Sequence, residues 1–182
     1  MLDIAENGVS AGASDVAIEI TEDAARNILS MTVEDNGRGM SPEFLERAAD
    51  PFATTRTTRR VGMGLPFLKQ SAELCDGAFS LSSALGRGTR TEAVFAYDSI
   101  DRPPLGDMAS TVMVLIMGHP EVNWRYLHKI GNREFSMTTE ELVDVLEERE
   151  LLRTADVGLW IRDQIAESLA DIARDSRQDR KS

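Results

Sequence analysis

Apolar and polar positions alternate most cleanly in two early stretches of the chain. Val16, Ile18 and Ile20 alternate with Ala17 and Glu19, and Leu29, Met31, Val33 and Asp35 share one parity of the next run. Successive strand side chains point to opposite faces, so each set lines a single face. The polar stretch 22–27 connects them, which predicts a β-hairpin. Three apolar residues of the second strand are followed on the same face by a carboxylate, Asp35, and then by Asn36-Gly37-Arg38-Gly39-Met40. A buried carboxylate is unfavourable unless donors reach it. Glycine lets a backbone approach a ligand closely. The pattern therefore predicts a donor-bearing ligand beside Asp35.

Other periodicities surround this hairpin. Residues 1–9 predict a short helix bracketed by Gly8 and Gly12, with Asp3 and Asn7 one turn apart on one face. Ser41-Pro42-Glu43 opens another helix, with serine as N-cap and proline in the first position. Residues 50–64 lack periodicity and interleave Thr54, Thr55, Thr57 and Thr58 with arginines, as a long functional loop would. A helix follows from Met63, with Leu65, Leu68, Ala72 and Cys75 as its stripe and Gly77 at its end. Phe79 and Leu81 share a strand face, Gly86-Arg87-Gly88-Thr89 is a tight turn, and Thr91, Ala93, Phe95 and Tyr97 alternate in a last strand.

Pro103-Pro104-Leu105-Gly106 breaks the pattern, since such a run continues neither a helix nor a central strand. The reading is a domain over 1–100, a linker at 101–106, an α+β extension over 107–175 and a disordered tail from 176. In the extension Asp107 caps an apolar helix, and Gly131-Asn132 joins the strands 124–130 and 133–137. Thr138 to Glu141 forms a capping box, and Val157, Trp160, Ile161, Ile165, Leu169 and Ile172 make a helical stripe. The segment from Arg174 is expected to fray. Trp124, Tyr126 and Trp160 are candidates for a partner or homodimer surface, against the commoner role of aromatic residues as core.

Composition narrows the function classes. The 182 residues are 42% hydrophobic and 28% charged, ordinary values for a globular chain. A formal charge of −11 argues against nonspecific nucleic-acid binding. Between 51 and 70 the charged residues are Arg56, Arg59, Arg60 and Lys69, a basic island that suits a phosphate. Cys75 is the only cysteine, read as buried and inert, so the expectation is a reducing, cytoplasmic setting. No apolar run reaches the roughly 18 residues of a membrane span, and no signal peptide is recognised.

Several familiar sites fail. No Gly-Lys pair exists for a Walker loop, and no G-x-G-x-x-G follows a strand. Asp35 to Glu46 has acids at the first and twelfth places of a calcium loop, but Gly37 and Gly39 stand where ligands are needed. His119 and His128 are the only histidines, read as structural or surface groups.

What remains is an ordered set: Asp3-x-x-x-Asn7, Asp35-x-Gly37-x-Gly39, the Thr/Arg loop, Gly62-x-Gly64-Leu65, and Gly86-x-Gly88-Thr89. Over residues 1 to about 97 it resembles the GHKL superfamily of ATP-binding domains (the Bergerat fold), shared by gyrase, Hsp90, the MutL repair proteins and histidine kinases. Leu2 to Asn7 with Ala11-Gly12-Ala13 looks MutL-like, while Asp50-Pro51-Phe52-x-Thr54-Thr55-Arg56 leading to Gly62-Met63-Gly64-Leu65 is closer to histidine kinases.

The resemblance implies an α/β sandwich, a mixed sheet with helices on one face. It implies ATP and Mg²⁺ as ligands. Asp35 would accept the adenine amino group, with Gly37, Gly39 and Met40 against the ring and Thr89 completing the polar cluster. Asn7 would hold Mg²⁺, and Ala11 belongs to the same first motif. Residues 51–64 would form the ATP lid, with Thr54, Thr55, Arg56, Gly62, Met63, Gly64 and Leu65 toward the phosphates. Hydrolytic members carry glutamate where this chain has Asp3, so Asp3 is the candidate base on a shorter stem. Family members have a strand and more helix before this point, so the domain is expected to be short at its N-terminal edge. The implied function is ATP hydrolysis or phosphorylation of a partner protein; the alternative is a noncatalytic, nucleotide-gated interaction module.

Overall fold

In a computed structural model, residues 1–48 and 64–179 are described. Their elements are α1 (Leu2–Ser10), β1 (Asp15–Asp23), β2 (Ile28–Asp35), α2 (Pro42–Ala48), α3 (Gly64–Leu74), β3 (Ala78–Ala84), β4 (Gly88–Ala96), α4 (Met108–Gly118), β5 (Asn123–Ile130), β6 (Arg133–Thr138), α5 (Thr139–Leu146), a 3₁₀ turn (Arg149–Arg153) and α6 (Ala155–Asp179). The strands form one mixed sheet in the order β3-β4-β2-β1-β5-β6. Every pair is antiparallel except β1 with β5.

Strand register explains the core. Leu81, Thr91, Val33, Ile18, Tyr126 and Met137 form one row across all six strands. The neighbouring row runs Phe79, Ala93, Met31, Ile20, His128, Phe135. This face meets the buried residues of α1, α3, α4 and α6, including Ile4, Ala72, Leu115 and Ile165. The opposite face carries cross-strand ion pairs, Arg90–Glu34 at 2.8 Å and Lys129–Glu19 at 2.9 Å. The expected mixed sheet with helices packed on one face is therefore present.

The segment beyond Gly106 adds to this same sheet, because β5 lies parallel to β1 over eight register pairs. A parallel neighbour requires a crossover, and α4 supplies it over the buried face. The expected caps form: Asp107 Oδ1 accepts the Ser110 amide at 2.9 Å, and Thr138 with Glu141 makes a reciprocal capping box.

Three expectations are corrected. Trp160 does not share the buried stripe of Ile161 and Ile165 but is 42% exposed, since it sits about 100° round the helix from Ile161. From Arg174 to Asp179 the charged stretch does not fray but continues α6, and Ser176 is buried beside Gly131 of the β5–β6 turn; residues 180–182 lie outside the described residues. Trp124 and Tyr126 are core, each 2% exposed, and therefore offer no partner surface. Among the described residues no helix is long and apolar enough to cross a membrane.

Candidate functional site

One end of the buried sheet face is polar. The row at that end runs Ser83, Thr89, Asp35, Val16, Trp124 across five strands. Asp35 is the last residue of β2 and is half-buried. Burial pushes its carboxyl above the usual aspartate value; amides of Gly37 and Thr89 that donate to it oppose this, and neighbouring Glu34 adds to the rise. The Gly37 bond measures 2.8 Å. A carboxylate has about four acceptor positions, so further donors can be received.

Small residues make the approach to that carboxylate. A methyl group on Gly8 of α1 would stand 2.8 Å from Asp35 Cβ, and one on Gly37 would stand 2.9 Å from Asp35 Oδ1 and 2.8 Å from Ala11 Cβ. Gly39 has φ of +66°, and a Cβ there would collide with the Ala84 carbonyl. Gly88 lies so close that a Cβ would collide with the Asp35 carbonyl. At these positions a side chain would meet neighbouring protein atoms, so glycine lets α1, the loop after Asp35 and the β3–β4 turn pack closely around the carboxylate.

Ser83 organises the neighbouring polar group. Its hydroxyl donates to Gly88 O at 2.7 Å, accepts the Met40 amide at 2.9 Å and lies 3.0 Å from Thr89 Oγ1. Sequence reasoning singled out Thr89 and Met40 but missed Ser83. Its signal was available as the register partner of Thr89, once β3 and β4 are paired. Asn36 was missed as well. Its Oδ1 accepts the Ser14 and Asp15 amides at 2.9 and 3.0 Å, and its Nδ2 donates to Asp15 Oδ2 at 2.8 Å. These bonds, with Arg38 N donating to Ala11 O at 3.0 Å, tie the loop after Asp35 to the end of α1.

On α1, Asp3 and Asn7 are both exposed. Asp3 stands against the start of α3: a Cβ on Gly64 would be 3.1 Å from Asp3 Cβ and 3.6 Å from its Oδ2. The N-terminus of a helix favours anions through its free amides and dipole. Asp3 reaches that terminus from α1, and Asn7 lies one turn further along the same helix. Leu65 is 4% exposed, so its side chain belongs to the core and only its backbone can face a ligand. Thr54, Thr55, Arg56, Gly62 and Met63 lie outside the described residues. Among the described residues no cluster of three or more His, Cys, Asp or Glu is arranged to hold a metal by protein ligands alone. Cys75 is buried, as expected. His128 is buried too, bonded to Tyr126 and Glu22, while His119 is 27% exposed and faces Glu6.

Known families and proteins resemble this chain in part. The family model described as histidine kinase-, DNA gyrase B-, and HSP90-like ATPase matches residues 1–99. The chain is 36% identical over 81 residues to the "Probable C4-dicarboxylate sensor kinase" of Bacillus subtilis, spanning 44% of this chain and 14% of that protein. It is 33% identical over 76 residues to the histidine protein kinase DivJ of Caulobacter vibrioides, spanning 40% of this chain and 13% of that protein. The chain thus spans only a small part of the curated relatives it matches. The solved N-terminal domain of a DNA repair protein superposes with a TM-score of 0.45 at 15% identity, over 72% of this chain and 48% of that one.

Proposed function

Because the chain belongs to the histidine kinase-, DNA gyrase B-, and HSP90-like ATPase family, we propose that it binds Mg²⁺-ATP and transfers the terminal phosphoryl group to water or to a partner protein. The observation that carries this reading is Asp35, a half-buried carboxylate with acceptor capacity left over, at the end of the sheet where Gly8, Gly37 and Gly88 pack directly against it. An adenine amino group would supply a further donor. Met40 is half-buried, its amide held by Ser83, and would offer an apolar surface to the ring.

Asn7 would give its amide oxygen to Mg²⁺, and the cation offsets phosphate charge when bound. Asp3 would orient or deprotonate the attacking group, a role that its exposed position beside Gly64 leaves sterically open. The lid role of 51–64 is part of this proposal and rests on the threonines, arginines and glycines of that segment. Both described histidines are engaged by carboxylates. A phosphoacceptor is therefore sought outside these 182 residues.

Single-turnover incubation with γ-labelled ATP tests the reading. Released phosphate or a labelled partner is the expected result. Bound but intact ATP would move the assignment to a noncatalytic, nucleotide-gated module, and no ATP-dependent thermal shift would remove nucleotide binding altogether.

A further inference from the structure

Residues 119–123, the connector after α4 together with the first residue of β5, bond to the elements that carry the candidate site at both ends. At one end His119 Nε2 lies 3.2 and 3.1 Å from the two carboxylate oxygens of Glu6, on the helix that carries Asp3 and Asn7. At the other end Asn123 Nδ2 donates to Asp15 Oδ1 at 3.4 Å, and its backbone amide donates to Ser14 O at 2.8 Å. Asp15 is the residue whose other oxygen accepts from Asn36, between Asp35 and Gly37. Hydrogen bonds from Ser14, Asn123 and Asn36, the Ser14 bond foremost, hold the Asp15 carboxyl below its ordinary value against the opposing effect of burial.

The connector is pinned from behind. Arg149 of the 3₁₀ turn donates to Pro120 O and to Asn123 Oδ1, each at 2.8 Å. Trp124 Nε1 donates to His119 O at 3.1 Å, and Arg153 reaches Glu121 at 3.4 Å. A plain surface ion pair would do little, since exposed pairs contribute about 0–1 kcal/mol. Here, however, α1 is only nine residues long and has no side-chain N-cap bond. A helix that short takes its position from packing rather than from its own stability.

We propose that the 119–123 connector positions the nucleotide site, His119 setting α1 through Glu6 and Asn123 setting the loop after Asp35 through Asp15. Both are positioning residues that would touch neither adenine nor phosphate. The inference rests on the nucleotide roles proposed above for α1 and Asp35. It makes the segment beyond Gly106 part of the site's construction, so that a molecule bound to that segment has a physical route to the nucleotide.

Calorimetric titration of the full chain with ATP, in the presence and absence of Mg²⁺, separates the two arms. His119→Ala is expected to weaken binding roughly 3- to 10-fold with Mg²⁺, the range one hydrogen bond covers, and to leave Mg²⁺-free binding unchanged. His119→Gln, whose amide can still donate to Glu6, should restore it. Glu6→Ala should copy His119→Ala, and the double variant should lose no more than either single one. Asn123→Ala should weaken binding by a similar factor under both conditions. Urea midpoints of the ligand-free variants guard against general destabilisation. Variants that bind ATP within twofold of wild type, or whose losses follow the urea midpoint irrespective of Mg²⁺, overturn the inference alone. A wild-type chain that binds no ATP overturns the nucleotide reading and this one with it.

Discussion

No side chain separates helix α1 from the Asp35 carboxylate: a methyl group on Gly8 would stand 2.8 Å from Asp35 Cβ and 3.3 Å from its Oδ2. Alanine at an interior helix position gains about 1 kcal/mol over glycine in propensity. Overpacking a buried contact costs about 1–3 kcal/mol. The second effect outweighs the first at this position, because Gly8 is buried and its neighbour is a strand residue fixed by register. Gly8→Ala should therefore lower stability and weaken ATP binding together, measured by urea denaturation and titration. A more stable variant with wild-type affinity would show that α1 can shift freely.

Asp35→Asn separates binding from folding. Burial disfavours the charge that the substitution removes, so the ligand-free melting temperature should equal or exceed that of wild type. The asparagine presents a donor where an adenine amino group needs an acceptor, and ATP affinity should fall by more than roughly tenfold, the range for an unpaired buried polar group. The ATP-dependent thermal shift should vanish while the fold persists.

The same carboxyl predicts a pH dependence. Its folded pKa lies above the ordinary aspartate value, because burial disfavours ionisation. Ligand-free stability attributable to this group is thus greatest at low pH and declines as pH rises through that window. Adenine recognition runs the other way, since it needs the ionised acceptor. ATP affinity should be full above the raised pKa and decline as pH falls through it. Titrations at a series of acidic pH values check this, and the slope should be absent in Asp35→Asn.

Asp3→Ala should abolish turnover and leave ATP affinity nearly intact. The side chain is exposed beside Gly64, whereas the groups that bond to Asp35 are the amides of Gly37 and Thr89. Unchanged hydrolysis in a single-turnover assay would remove Asp3 from the chemistry.

Away from the site, Tyr126 OH lies 2.7 Å from His128 Nδ1, and His128 Nε2 lies 3.0 Å from Glu22. With Glu22 accepting at Nε2, Nδ1 is left as an acceptor for the tyrosine proton. Burial pushes the Tyr126 hydroxyl well above its usual value, with the Glu22 charge adding to the effect. Tyr126→Phe strands that buried nitrogen and should cost about 1–3 kcal/mol in denaturation experiments.

Much of this was legible in the residues themselves. The parity of Leu29, Met31, Val33 and Asp35 carried a core face into a carboxylate, and that alternation is what the sheet displays. Caps at Ser41, Asp107 and Thr138 form where their side chains dictate. Trp160 was misread because an i, i+3, i+4 pattern includes both residues of a neighbouring pair, and only the fold shows that Ile161 faces the core while Trp160 stays 42% exposed.

Strand and helix periods, turn glycines and caps are local, so sequence alone determined the elements, their faces and the glycine-flanked acid. Pairing partners are not local. Only the tertiary structure decided that β5 lies parallel to β1, that Ser83 faces Thr89, and that residues 119–123 brace Glu6 and Asp15. The alternation of β5 satisfies a separate hairpin as readily as an edge of this sheet. What selects the edge is the apolar surface of α4, which has to be buried between that hairpin and the helices.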